Sequence, residues 1–269
     1  MQARRLPAAR GTFWLFEGFR LFRRNPPFIT ALTLLYLLVV QTLVLLLPGI
    51  GPVLLPLVLP LLTLIVANGC RLVDEGRRPN RLDLLRGVTG NLPPLLRLGA
   101  LQLAGALLLV LLNLALNGGA DPLAGINDPL AAANMGEGSV PPPADAAAEA
   151  AMLGALFRLL LLAAPVIIAF WFAPFLVGWD RVSPFKSLFF STVASLRNWR
   201  AMAMFSIAAL VLAGIVPGLV LIVIGQVAGV ALDVAFIALR LLLIFLVAPV
   251  LTASIYVSYR DIFHTDENA

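Results

Sequence analysis

The sequence predicts an all-α, polytopic membrane protein with six transmembrane helices. Three observations carry that prediction. First, 61% of the 269 residues are hydrophobic and only 12% are charged. That is about half the charge of an ordinary soluble chain, too little to cover a water-facing surface. Second, the apolar residues gather into six runs, most of them reaching the roughly 20 residues needed to cross a bilayer. Third, the basic residues fall between alternate runs, the mark of a multi-pass topology. That placement sets nucleic acid aside as a partner, despite a net charge of +5. A disordered chain would need far more polarity, and the single cysteine, Cys70, rules out a disulfide scaffold.

Taken in order, residues 1–27 form a basic N-terminal segment, expected in the cytoplasm. Glu17, Arg20, Arg23 and Arg24 interrupt any apolar signal core, so the first span is expected to serve as an uncleaved anchor. Residues 28–47 make span one. Pro48-Gly49-Ile50-Gly51-Pro52 is a turn, and residues 53–68 make a shorter span two. A polar stretch, 69–94, leads to span three at 95–116. Residues 117–150 hold Asp121, Asp128, Glu137, Asp145 and Glu149 but no Lys or Arg, so this loop is expected to be translocated and flexible. Spans four, five and six follow at 151–178, 201–224 and 229–257. The tail, 258–269, returns to the cytoplasm, and the whole chain is one membrane domain.

Three connecting stretches suit amphipathic helices lying in the membrane interface, apolar side down. They surround Phe13–Arg24, Arg81–Val88 and Phe185–Arg197. Each leads into a pair of spans and ends near an asparagine: Asn25, Asn91 and Asn198. Each pair then exits at an arginine: Arg71, Arg181 and Arg260. The suggested unit is an amphipathic helix, a span out, a span back and an exit arginine. Three copies in one orientation would give six spans.

Several blocks carry a resemblance. Gly18-Phe19-Arg20-Leu21-Phe22-Arg23-Arg24-Asn25-Pro26-Pro27, Trp171-Phe172-Ala173-Pro174, Leu196-Arg197-Asn198-Trp199-Arg200 and Tyr256-Val257-Ser258-Tyr259-Arg260-Asp261 look like a family of uncharacterised bacterial multi-pass membrane proteins. More distantly, the layout is similar to the membrane domain that accompanies some glycerophosphodiester phosphodiesterases. The resemblance implies an inner-membrane location and brings no assigned activity or functional residues.

Two sets of residues are candidates for function. Asp233 and Arg240 lie about two helical turns apart inside span six. Charge within the membrane is costly and marks functional sites, so with Gln226 they could line a polar cavity or proton path. The plainer expectation is a pair of structural charges. The second set is a basic cytoplasmic collar of Arg20, Arg23, Arg24, Arg77, Arg78, Arg197 and Arg200, suited to anionic lipid head groups. Its plainer role is topology and snorkelling. Pro48, Pro52, Pro56 and Pro60 could expose a track of carbonyls, though a kinked, packed span is expected. Gly214 with Gly218, and Gly225 with Gly229, have small-xxx-small spacing and are expected to pack helices.

The lone histidine, His264, and the absence of nucleotide or nucleophile-elbow motifs argue against an enzyme. No cofactor is expected. The leading expectation is a non-enzymatic inner-membrane protein that binds lipid, a membrane-protein partner or a second copy. The alternative is a transporter or lipid-translocating protein using Asp233 and Arg240.

Overall fold

The computed structural model describes residues 4–116, 146–225 and 229–264. Most of the acidic loop and Gln226 lie outside them, and Asp233 is described only as part of a helical backbone, Gly229–Leu242. Among the described residues every regular element is helical. Six helices are long and apolar enough to span a membrane: Pro26–Leu46, Gly51–Asp74, Leu92–Leu116, Leu153–Gly178, Trp199–Ile224 and Val234–Phe263, here spans one to six. The predicted class and span count therefore hold.

Helix starts follow local chemistry. Asn25 Oδ1 accepts from the Phe28 amide at 3.4 Å, while Pro26 and Pro27 occupy positions that need no amide donor. Asn25-Pro26-Pro27 is thus the cap of span one. The hairpin turn closes with the Gly51 amide donating to Leu47 O at 2.5 Å. A Cβ on Gly51 would lie 1.8 Å from Leu43 O, so only glycine fits.

Span two runs six residues past its expected end at 68, to Asp74. Asn68, Gly69 and Cys70 are buried against protein rather than exposed to lipid, so their polarity does not end the helix. Pro56 and Pro60 sit inside this helix and are buried. They belong to a packed span, as the plainer reading had it.

The three amphipathic stretches differ. The first is a full helix, Arg10–Arg24, but its apolar residues divide between two surfaces. Trp14, Leu21 and Phe22 are buried in protein, while Phe13, Phe16 and Phe19 remain exposed. The second forms only the single turn Arg81–Leu84, because the backbone turns left-handed at Gly87, φ 77°. The third, Pro184–Arg197, buries its small face of Ser187, Ser191, Ala194 and Ser195 and leaves Phe185, Phe189 and Leu196 outward.

Packing bears on the suggested repeat. The first helix lies on spans five and six, the short second helix lies on span two, and the third lies on span four. Each amphipathic segment therefore contacts a returning span: the second span two, the third span four, and the first span six, with span five beside it.

Burial concentrates at the end of the bundle that carries both termini. Ile29 and Leu32 are the buried apolar residues of span one, Leu95 and Leu98 those of span three, and Ala201 and Phe205 those of the first half of span five. The far halves of the spans expose Leu108, Leu111, Leu160, Ile222 and Val234, as lipid-facing helices do. A Cβ added at Gly214 or Gly218, expected to pack helices, would meet no neighbouring helix within 4 Å. Close approach occurs elsewhere: a Cβ on Gly11 would lie 2.1 Å from Ala201 O, and one on Gly99 would lie 2.6 Å from Leu57 O.

Span four breaks at Trp171-Phe172, just before Pro174, which has no amide to donate. Ser191 mends the break. Its hydroxyl accepts from the Phe172 amide at 3.0 Å and donates to Ile168 O at 3.2 Å. Ser191→Ala would leave two interior backbone groups unpartnered, at a cost of about 1–3 kcal/mol. A lowered thermal midpoint in detergent is expected; an unchanged one would show that the break needs no third helix.

Candidate functional site: a polar cavity at the terminal face

The three exit segments meet at this end. Span two ends in Asn68–Asp74, span four leads into Trp179-Asp180-Arg181, and span six ends in Tyr256–Phe263. Together they wall a cavity of about 560 Å³, whose lining includes Arg71, Arg86, Arg181, Arg260, Asp74, Asp180, Tyr259 and His264. All three exit arginines of the suggested repeat are in that lining.

Trp179 is the hub. Its indole Nε1 donates to Asn68 Oδ1 at 2.7 Å. One face stacks on Phe175 at 5.3 Å, and the Arg71 guanidinium lies 5.5 Å from the ring centre. Asn68, 2% exposed, spends its amide on Leu84 O and Arg86 O, both at 2.8 Å. One buried side chain thus ties span two, span four and the connecting loop together.

The acids are engaged. Asp74 accepts from Tyr256 Oη at 3.1 Å, pairs with Arg24 at 3.2 Å and takes a further ion pair from Arg260. Asp180 accepts from Tyr259 Oη at 2.5 Å. His264 Nε2 lies 3.3 Å from the same hydroxyl. Glu75 pairs with Arg71 at 2.7 Å and with Arg77 at 3.3 Å. Burial pushes its carboxyl up, but the two arginines outweigh this and hold it below the ordinary carboxylate value.

Nearby, Asp261 clamps the N-terminal helix. It accepts from Arg10 at 2.7 and 2.9 Å and from the Trp14 indole at 2.8 Å. That bidentate pairing raises the Arg10 pKa above its ordinary value.

Arg86 and Arg181 are different. Both are exposed to the cavity side, and neither forms an ion pair among the described residues. Arg181 has a left-handed backbone, φ 54°. The Val182 amide donates back to Leu176 O at 3.0 Å, so Arg181 occupies the helix-ending position where glycine is usual. Holding a non-glycine residue there costs roughly 1–2 kcal/mol.

The residues singled out from sequence lie around and away from this cavity. Arg20, Arg24 and Arg77 are partly spent on Glu17, Asp74 and the Glu75–Asp83 pair. Arg23, Arg78, Arg197 and Arg200 are exposed and form no ion pair among the described residues. Arg23 lies 6.0 Å from the Phe19 ring and Arg200 5.5 Å from the Trp199 ring. Arg240 is exposed on span six and is not part of the cavity lining. Asn68, Asp74, Asp180, Tyr256 and Tyr259 were missed as site residues. The shared arginine at each exit was the signal that could have found them.

Fold and site together define a multi-pass membrane protein with an arginine-lined polar cavity at one end. Over nearly its full length the chain is similar to a probable inner membrane protein of Burkholderia thailandensis. The two are 31% identical over 272 residues, covering 99% of this chain and 96% of the relative. The chain belongs to that family and is a multi-pass inner-membrane protein. The match says nothing of the phosphodiesterase-associated domain. No family model matches the chain, and no solved structure does.

Proposed function

We propose that the protein is a non-enzymatic component of the inner membrane that binds anionic lipid head groups, with its basic face and both termini in the cytoplasm. One observation carries this reading. Exposed arginines that form no ion pair among the described residues lie beside exposed aromatics: Arg23 by Phe19 and Arg200 by Trp199. Aromatic rings sit well at head-group depth. Each arginine beside them adds about 1 kcal/mol of attraction to an anionic leaflet.

Purification with native lipid, followed by mass spectrometry, tests the reading. Anionic lipid is expected to be enriched over the bulk membrane. Combined Arg78→Gln, Arg197→Gln and Arg200→Gln exchange should reduce that enrichment. If no anionic lipid co-purifies, the reading fails. A protein partner or a second copy found in its place would assign the face to assembly.

A further inference from the structure

The cavity differs from the collar around it in being a partly walled recess rather than an open surface. Two of its acids are ion-paired, Asp74 with Arg24 and Arg260 and Glu75 with Arg71 and Arg77, and the third, Asp180, accepts from Tyr259. Among the lining groups with no ion pair in the described residues, two are positive, Arg86 and Arg181, and one is negative, Asp180. A cation would find two of the three carboxylates already ion-paired, while an anion would find two guanidinium forks with their donors unspent.

The walls are backbone as much as side chain. A Cβ on Gly87 would come within 2.4 Å of Gly178 O, so two chain segments close one side with no side chain between them. Gly90 also lines the space, and a Cβ there would meet nothing within 4 Å. Arg181 adds the second, independent observation. It occupies a left-handed position that glycine would fill without strain, so the arginine is held there against backbone preference.

We propose that this cavity binds a single phosphate group, gripped by Arg86 and Arg181. Guanidinium forks match tetrahedral phosphate oxygens in a bidentate way that lysine cannot. The volume, about 560 Å³, admits a phosphate together with a small polar substituent such as glycerol. The lipid source of that phosphate rests on the reading above. A free phosphate ester would use the same contacts.

The test uses the full-length protein in phosphatidylcholine nanodiscs, with or without phosphatidylglycerol, and in detergent with inorganic phosphate or glycerol phosphate. Retained lipid is counted by native mass spectrometry, and soluble ligand is followed by calorimetry. Arg181→Gly should fold at least as stably as the wild type yet bind about tenfold more weakly, the loss expected for a charge-assisted contact. Arg86→Gln should weaken binding similarly, and Gly90→Leu should block the cavity without a clash. Lys186→Gln, outside both the cavity lining and the collar, should leave glycerol phosphate binding unchanged. Retention of phosphatidylglycerol that is lost in these variants supports a head-group phosphate. Variant-sensitive binding of glycerol phosphate alone keeps the site and discards the lipid source. Anionic lipid retained equally by every variant overturns the site while sparing the collar. No binding of either ligand overturns the site outright.

Discussion

Asn68→Ala should destabilise the terminal face more than any other polar truncation there. Asn68 makes three interior hydrogen bonds, to the Trp179 indole at 2.7 Å and to Leu84 O and Arg86 O at 2.8 Å each. Its removal strands one donor and two acceptors. Each stranded buried group costs about 1–3 kcal/mol, less whatever water entering from the neighbouring cavity restores, so a loss of roughly 2–5 kcal/mol is expected. Two readouts should move together. The thermal midpoint should fall, and proteolysis between Arg77 and Arg86 should quicken as the loop loses its tether. Asn68→Asp discriminates further, since it keeps an acceptor for Trp179 but aims a carboxylate at two carbonyls. It should be no better than alanine. A wild-type midpoint in both variants would mean that Asn68 does not organise this end.

Gly11→Val should dislodge the N-terminal helix. The added Cβ would meet Ala201 O at 2.1 Å and Phe205 N at 2.7 Å. Both are backbone atoms in a helix, so neither can swing aside, and the helix itself must move. Overpacking of this kind costs about 3 kcal/mol or more. The Trp14 indole and the Arg10 guanidinium would then draw away from Asp261. Trypsin cleavage at Arg20 or Arg23 should accelerate, and the thermal midpoint should drop. Gly90→Ala is the matched control, because its Cβ meets nothing within 4 Å. Equal behaviour of the two variants would contradict the close helix approach at Gly11.

The spans were legible because lipid leaves apolar length as the main requirement of a crossing helix. The boundary of span two was misplaced because a sequence window sees Asn68 and Arg71 as polar but cannot see that protein, not lipid, surrounds Asn68. The second amphipathic helix was over-read for a similar reason. Leu82, Leu84 and Leu85 have the spacing, but Gly87 ends the helical backbone after one turn. The small-xxx-small reading went wrong at Gly214 and Gly218, where spacing alone does not say which glycines meet a neighbour. The cavity was only half visible. Arg71, Arg181 and Arg260 stand out in the sequence as helix exits, whereas Arg86 carries no such signal. Their convergence depends on Trp179, Tyr256 and Tyr259 packing side by side, with ring centres 5.2 Å apart for Trp179 and Tyr259 and 6.1 Å for Trp179 and Tyr256. Contacts between residues so far apart in the chain leave no local periodicity to read.

The docking of the first helix on the last span constrains how the molecule is made. Arg10 and its partner Asp261 are separated by 251 positions, so the clamp cannot form until span six has been made. Throughout elongation the Trp14, Leu21 and Phe22 surface has no cover, while Phe13, Phe16 and Phe19 can hold the same helix against the bilayer. The Arg10–Arg24 helix would therefore wait on the membrane until span six arrives. Such long-range closure is slow. A chain that stops short of span six would keep that surface bare, a ready mark for proteolytic removal.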